Sequence, residues 1–182
     1  MKNRKSGDAG MKYDQAQVRI HEAYTVAIRD LGVHGEGIGS MDGFTVFVPG
    51  ALPGETVTAE ITLLKKSYAL GELLSIEQES PFRMVPECPV YENCGGCQLS
   101  HLTYEGQLDM KYRRVKDVIE RIAGESGKLV RPVLPAAHPF AYRNKMAVPA
   151  GLVKGKAALG CYRRGSHDII PVSSCAIQKE EN

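Results

Sequence analysis

Residues 44–64, FTVFVPGALPGETVTAEITLL, contain two short β-rich runs, FTVFV and ETVTAEITLL, separated by a segment rich in glycine and proline. Apolar and polar residues alternate within part of each run, which is typical of strands with one buried face. The LPGE stretch between them supplies residues that favour a turn. This pattern predicts two strands of a small all-β unit.

The flanking sequence extends the same pattern in both directions. AYTVAI at residues 23–28 and YALGELLSI at residues 68–76 are further β-rich runs, and MDG gives another turn signal. A barrel closes its own sheet edges, which suits so short an all-β segment. We therefore predict a small antiparallel barrel over residues 22–80, preceded by a disordered basic tail at residues 1–21.

Composition bounds the class of protein. The chain has 182 residues, of which 43% are hydrophobic, so it can form one large domain or two small ones with a buried core. No segment reads as a signal peptide, a membrane anchor or a membrane span, so we expect a cytoplasmic protein in a reducing compartment. The net charge of +2 falls short of the strongly basic character of a dedicated nucleic-acid domain. Nucleic-acid binding must therefore be argued from local clusters of charge.

The cysteines point to a metal site. Three of the five cysteines lie in CPVYENCGGC, residues 88–97, with the spacing C-x5-C-x2-C, and Cys161 and Cys175 follow far downstream. Three cysteines in one turn cannot all pair with one another, and an odd total leaves one over. In a reducing compartment, clustered cysteines are metal ligands more often than disulfides. Either tetrahedral zinc or an iron–sulfur cluster would need a fourth ligand, and spacing alone does not choose between them.

Two arguments favour a cluster and Cys175. Structural zinc sites usually have two short-spaced pairs of ligands, whereas here three thiols are local and one is remote. The glycines of CGGC also allow the backbone to wrap closely around inorganic sulfides. Cys161 lies inside a predicted strand as a plausible packing residue, whereas Cys175 follows a strand end, where a loop can turn its side chain towards a cluster.

The second half of the chain changes its period. Apolar residues at helical spacing predict one amphipathic helix that begins near Thr103 and ends before Gly124, which completes a cysteine-motif and helix segment at residues 81–124. VRPVLP, YRNKMAVPAG, KAALGCYRRG and HDIIPV then read as strands of a small antiparallel sheet over residues 125–182, with LVKGK as the clearest hairpin turn. The fold class is thus mainly β with α.

These motifs together resemble a known family. The stretch GVHGEGIGSMDGFTVFVPGALPGETVTAEI is similar to a TRAM domain, an OB-like RNA-binding barrel. Three later segments resemble those that follow this domain in TRAM-domain, iron–sulfur-containing RNA (uracil-5-)-methyltransferases: CPVYENCGGCQLSHLTYEGQLDMK, FAYRNKM and GCYRRGSHDIIPVSSC. Those enzymes methylate uridine in 23S ribosomal RNA. Methylthiotransferases also combine a TRAM domain with a cluster, but they have C-x3-C-x2-C and the opposite domain order.

The resemblance implies a cofactor and a missing part. It places the ligands of a [4Fe-4S] cluster on Cys88, Cys94, Cys97 and Cys175, and it leaves Cys161 on no ligand position. Family members continue into a domain that binds S-adenosylmethionine and carries the catalytic cysteine and glutamate, and these 182 residues contain no sequence resembling it. We therefore assign no catalytic residue here and expect the chain to transfer no methyl group alone.

Local clusters of cations and aromatic rings give candidate RNA contacts. Such barrels bind phosphates with basic side chains and stack unpaired bases on planar groups. KKSY, YRNK and YRRGSH each bring an aromatic residue and two cations together. The predicted contacts are Lys65, Lys66, Tyr68, Arg143, Lys145, Arg163 and Arg164, and the plain alternative for each is a solvated surface charge.

Two functions stay open at this stage. The chain is either the RNA-recognition and iron–sulfur part of an S-adenosylmethionine-dependent RNA methyltransferase, with its catalytic domain absent or separately encoded, or a free-standing RNA-binding iron–sulfur module without catalysis. A fully cysteine-ligated cluster has no open position for substrate, which favours a structural role for it. The expected partner in both cases is RNA, with no membrane involved.

Overall fold

The computed structural model describes residues 18–41, 43–179 and 181. The chain folds into two compact units, with the boundary between Ser80 and Pro81. The predicted disordered tail falls mainly on residues 1–17, which lie outside the described residues. Val18, where the description begins, is buried in the core of the first unit.

The first unit is a closed five-stranded barrel. Its strands are β1 (Ala23–Leu31), β2 (Gly37–Met41), β3 (Phe44–Val48), β4 (Thr56–Leu64) and β5 (Tyr68–Gln78), in the spatial order β1-β2-β3-β5-β4. The predicted barrel is therefore confirmed. The prediction that it is antiparallel is wrong for one pair, because β3 and β5 run parallel where the barrel closes. The alternation of side chains shows which face of a strand is buried, but it carries no information about the direction of the partner strand.

Alternation along the strands builds the barrel core. In β3 and β4 every second residue points inward, so Val46, Val48, Val57 and Ile61 are fully buried. Glu55, which begins the predicted run ETVTAEITLL, precedes β4 and is only 1% exposed. Its carboxylate accepts hydrogen bonds from the backbone amides of Leu52 and Ser80, at 2.8 and 3.3 Å. This buried acid fixes the turn that the sequence predicted only from glycine and proline.

One barrel strand was missed by the sequence analysis. β2 has the sequence GIGSM, where no β-rich run was predicted. A Cβ atom on Gly39 would lie 2.3 Å from a methyl carbon of Val26 and 2.7 Å from the carbonyl oxygen of Ala27. Glycine in this strand therefore marks a close approach of neighbouring chain segments and not a loop.

The second unit contains the predicted helix. α1 spans Tyr104–Arg121, and the side chain of Thr103 caps its N-terminus by accepting a hydrogen bond from the Gly106 amide at 3.2 Å. Two apolar residues of its predicted packing face, Val115 and Ile122, are 51% and 80% exposed. No helix in the described part of the chain has the length and apolar character needed to cross a membrane.

A three-stranded antiparallel sheet follows the helix and a short 3-10 turn at Gly127–Leu129. Its strands are β6 (Ala150–Val153), β7 (Lys156–Tyr162) and β8 (Ile169–Pro171). The predicted hairpin at LVKGK joins β6 to β7, and Lys154 and Gly155 both have the positive φ that a type I′ turn requires, 51° and 76°.

One predicted strand is wrong and another is only partly right. VRPVLP forms no strand, because its two prolines cannot donate to a ladder. In YRNKMAVPAG only the last two residues, Ala150 and Gly151, are in a strand, where they begin β6, and the first part forms an isolated bridge between Arg143 and Gln178.

Candidate metal centre

The cysteine motif at residues 88–97 folds into a series of tight turns. The Tyr91 amide donates to the Cys88 carbonyl oxygen at 3.1 Å, and the Cys94 amide donates to the Val90 carbonyl oxygen at 2.8 Å. These bonds fold the chain back on itself between the first two cysteines. We call residues 88–97 the cysteine loop.

The cysteine loop is bound to the end of β7. The Gly95 amide donates to the Tyr162 carbonyl oxygen at 2.8 Å, and Cys94 forms an isolated antiparallel bridge with Arg163. A Cβ atom on Gly95 would lie only 2.9 Å from that carbonyl oxygen and 3.3 Å from the backbone of Arg164. Glycine is therefore needed at this position to let two backbones meet.

The second glycine of CGGC has a different neighbour. The Gly96 amide donates to the sulfur of Cys94 at 3.3 Å. A Cβ atom on Gly96 would lie 3.4 Å from Cys94 Sγ and 3.9 Å from Cys161 Sγ, both ordinary contacts. The two glycines thus have separate roles, one in backbone approach and one beside the thiols.

Cys175 lies in a turn beyond β8, as the sequence predicted. The Gln178 amide donates to the Cys175 carbonyl oxygen at 2.9 Å, which closes the turn. The amides of Ala141 and Arg143 donate to the next two carbonyl oxygens, those of Ala176 and Ile177, each at 2.9 Å. This short ladder holds the position of the fourth predicted ligand.

All five cysteines line one cavity of the second unit, and each is partly buried. Cys88, Cys97 and Cys175 also line a smaller neighbouring cavity. The sequence analysis treated Cys161 as a packing residue of a strand. It is in β7, but its side chain faces the cavity that the other four cysteines line.

The thiols influence one another electrostatically. Burial raises the pKa of Cys97, and the nearby Cys175, Cys94 and Cys88 raise it further, against a hydrogen bond from Ser100 that lowers it. Burial also raises the pKa of Cys161 to about 11, with Cys94 as the next cause. Negative charge on one of these sulfurs is therefore felt by the others. A cationic metal or cluster favours the deprotonated thiolates.

The donor set fits a thiolate-ligated group. Four cysteine sulfurs are the usual ligands of a [4Fe-4S] cluster and also of structural zinc. Among the described residues, no three histidine, cysteine, aspartate or glutamate side chains are close enough together to hold a single metal ion. The five thiols nonetheless converge on one cavity from the cysteine loop, β7 and the turn after β8.

The predicted RNA contacts of the second unit gather at this centre. Arg143 and Lys145 line the cysteine cavity and have exposed side chains. The guanidinium of Arg163 donates to the Asn93 side-chain oxygen and lies 3.8 Å from the Asp168 carboxylate. Arg164 donates to the Cys97 carbonyl oxygen at 3.0 Å. The structure therefore places all four basic residues beside the cysteines.

The predicted RNA contacts of the barrel lie elsewhere in the chain, where β4 turns into β5. Lys65 and Lys66 are in the turn, and Tyr68 is the first residue of β5. The Lys65 amide donates to the Tyr68 carbonyl oxygen at 2.9 Å, so these residues form a tight turn with exposed Lys65 and Lys66 side chains. The Tyr68 ring is half-buried and packs edge-on against Phe47, with centroids 5.5 Å apart.

One polar cluster of the second unit was missed. The Tyr91 hydroxyl donates to the Gln98 carbonyl oxygen at 2.9 Å and hydrogen-bonds Nδ1 of His101, which is 4% exposed. Burial raises the pKa of Tyr91, and a hydrogen bond from Arg164 opposes that rise. A lone histidine carries little signal in the sequence, so this cluster was not predicted.

The barrel is similar to a known family of domains. Residues 17–74 match the TRAM domain family. The chain therefore contains a TRAM domain, and the closed barrel is the structure of that domain.

The similarity extends beyond the barrel. Over 165 residues, or 91% of the chain, it is 48% identical to an uncharacterized RNA methyltransferase of Bacillus cereus, and it is 42% identical over 172 residues to another of Halalkalibacterium halodurans. It covers only 36% and 38% of these two proteins. The chain is thus a homologue of proteins named RNA methyltransferases and matches their N-terminal part.

A solved structure is also similar to this chain over most of its length. The tRNA (uracil-54, C5)-methyltransferase of Pyrococcus abyssi, crystallised with S-adenosyl-L-homocysteine, matches 86% of this chain with a TM-score of 0.58 and 25% identity. The match covers 33% of that enzyme.

Proposed function

We propose that this chain is the RNA-recognition and iron–sulfur part of an S-adenosylmethionine-dependent RNA (uracil-5-)-methyltransferase of the cytoplasm. The observation that carries the proposal is the convergence of Cys88, Cys94, Cys97 and Cys175 on one cavity, in a chain with a TRAM domain and RNA methyltransferase relatives. The solved neighbour acts at C5 of a uracil, which supports the same position of methylation here.

In this proposal the four cysteines hold a [4Fe-4S] cluster with a structural role. When bound, the cluster would join the cysteine loop to the turn at Cys175, which lies far along the chain. Such a clip closes a long loop of chain, and its stabilising effect comes mainly from the conformational freedom that it removes from the unfolded state. Cys161 lines the same cavity and stands outside the proposed ligand set.

We propose RNA contacts in each of the two units. In the barrel, Lys65 and Lys66 are exposed cations beside Tyr68, although the packing of that ring on Phe47 leaves it only half-exposed for stacking. In the second unit, Arg143 and Lys145 are exposed cations at the cysteine cavity, and Arg163 is an exposed cation whose backbone forms a bridge with Cys94. Phosphate contacts of this kind position RNA but do not read its sequence.

The proposed target is 23S ribosomal RNA, from the resemblance of the sequence motifs. The structural neighbour is named for a tRNA, so tRNA is the second candidate substrate. A direct comparison of binding to a 23S fragment and to an unmodified tRNA at several salt concentrations would distinguish them. Tighter binding to tRNA would replace the ribosomal assignment.

Catalysis is proposed to require a further domain. Methylation at C5 of uracil needs a nucleophile that adds at C6, a bound methyl donor and a base for the C5 proton. The sulfurs of this chain gather at one cavity where four of them are proposed ligands. The test is transfer of a tritiated methyl group from S-adenosylmethionine into RNA by the purified chain, where we expect no turnover. Turnover that disappears in Cys161→Ala would overturn this part of the proposal and make Cys161 a nucleophile.

A further inference from the structure

Arg164 contacts the backbone at the end of the cysteine loop. Its guanidinium donates to the Cys97 carbonyl oxygen at 3.0 Å. The planar guanidinium keeps its donors in a fixed arrangement, so this contact restricts the orientation of the Cys97 peptide group.

The acceptor of this hydrogen bond belongs to a residue of the cavity wall. Tyr91 and Cys97 line that cavity, and the Tyr91 hydroxyl donates in turn to the Gln98 carbonyl oxygen at 2.9 Å. The orientation of the Cys97 peptide group influences the direction in which the Cys97 side chain points. The hydrogen bond from Arg164 to the Cys97 carbonyl oxygen therefore helps to fix the position of the thiol.

The backbone beside Arg164 is fixed against the same loop. The Gly95 amide donates to the Tyr162 carbonyl oxygen at 2.8 Å, and Arg163 pairs with Cys94. The guanidinium of Arg164 is thus delivered to Cys97 from a segment that is already anchored. A surface arginine that contacts only solvent would have no such support.

We propose that Arg164 is a positioning residue of the cysteine centre, which holds Cys97 so that its thiol faces the cavity that the other cysteines line. Its role in the cluster site rests on the proposed function, whereas its contact with Cys97 does not. The sequence pattern predicted this arginine as an RNA contact. Its acceptor is the backbone of a proposed cluster ligand, which leads to the different assignment.

The experiment compares the anaerobically purified wild type with Arg164→Ala, Arg164→Lys and the control Arg114→Ala, which removes an exposed arginine of α1. The first readout is the rate at which a ferrous chelator bleaches the visible spectrum of the cluster. The second is the rate of alkylation of each cysteine by iodoacetamide, resolved by peptide mass spectrometry. The third is the slope of log RNA affinity against log salt concentration.

We expect Arg164→Ala to bleach about tenfold faster than the wild type, a change of the size expected when a charge-assisted hydrogen bond is lost. Alkylation should accelerate at Cys97 more than at Cys88 or Cys175, whereas general destabilisation would expose all of them together. Arg164→Lys should recover part of the protection, since an ammonium can reach the same acceptor but lacks the planar fork. The salt slope and the Arg114→Ala control should stay at the wild-type values.

Two results would overturn the proposal. One is alkylation of Cys97 at the wild-type rate in Arg164→Ala, or in Arg164→Lys if circular dichroism shows that the alanine variant is unfolded. The other is a salt slope that falls by about 0.7, the loss of one phosphate contact on a single strand, at an unchanged bleaching rate. If the wild type contains neither iron nor sulfide, the proposed cluster fails, and the alkylation rates still decide the role of Arg164.

Discussion

The amide of Gly95 donates a hydrogen bond to the carbonyl oxygen of Tyr162, 2.8 Å away. Through this bond the cysteine loop meets the end of β7, and the space between the two backbones admits no side-chain carbon. Two cysteines, Cys94 and Cys161, lie next to these backbones and line the same cavity. The glycine pair in the motif is thus part of how the thiols are brought together.

Replacement of Gly95 by alanine should therefore destabilise the second unit. The new Cβ would lie 2.9 Å from the Tyr162 carbonyl oxygen, and since this neighbour is backbone it cannot move aside cheaply. We expect a loss of about 1 to 3 kcal/mol in the free energy of unfolding, as for other overpacked sites. Denaturant titration measures it, and Gly96→Ala is the matched control because its nearest contact is a sulfur at 3.4 Å. Equal stability of the two variants would contradict this account of the motif.

Replacement of Glu55 tests the polar turn of the barrel. Its carboxylate is buried and accepts from the amides of Leu52 and Ser80. Glu55→Ala leaves these donors without that acceptor, so we expect the barrel to lose about 2 to 4 kcal/mol, with each unmet buried donor costing about 1 to 3 kcal/mol. Glu55→Gln keeps one acceptor oxygen and should lose less. Chemical unfolding of the wild type, Glu55→Ala and Glu55→Gln measures the loss. The control is Glu72→Ala, a change at an exposed strand position. A Glu55→Ala protein as stable as this control would refute the assignment.

The basic residues at the cysteine cavity should contribute to RNA binding through phosphate contacts. Alanine at Arg143, Lys145 or Arg163 should weaken binding of single-stranded or looped RNA and reduce the magnitude of the salt slope by about 0.7 each. Fluorescence anisotropy over a range of salt concentrations measures both quantities. Arg114→Ala on α1 serves as the control for a lost surface charge. Wild-type affinity and slope in all three variants would remove these residues from the RNA surface.

Removal of the cluster should affect the two units differently. The barrel has its own hydrophobic core and contains none of the cysteines, so it should remain folded. The second unit would lose the connection between the cysteine loop and Cys175, and it should become much more susceptible to protease. Limited proteolysis with mass spectrometry, before and after treatment with a ferrous chelator, gives the comparison. Unchanged protection of residues 81–182 after the loss of iron would argue against a structural cluster.

The sequence predicted the parts of the fold that depend on local patterns. Alternation predicted four of the barrel strands, the change to helical spacing near Thr103 marked the start of α1, and the glycine of LVKGK located the hairpin. It missed β2, because glycines that let strands approach closely look like loop residues. It also assigned a strand to VRPVLP, where the spacing of apolar residues was outweighed by two prolines.

The sequence predicted the cysteines of the candidate centre but not the contacts that hold them in place. Spacing singled out Cys88, Cys94 and Cys97, and the end of a strand suggested Cys175. Contacts between residues far apart in the chain cannot be read from spacing, so the approach of Cys161 to Cys94 was missed. For the same reason the hydrogen bond from Arg164 to Cys97 was unforeseen.

The central claim is that Cys88, Cys94, Cys97 and Cys175 bind one iron–sulfur cluster, and analysis of bound iron, sulfide and zinc after anaerobic purification tests it most directly. We predict about four iron and four sulfide per wild-type chain, as for a [4Fe-4S] cluster held by four cysteines. Cys175→Ser should lose most of both, and Cys161→Ser should retain them. Stoichiometric zinc without sulfide in the wild type, or an iron content in Cys175→Ser equal to that of the wild type, would contradict the claim.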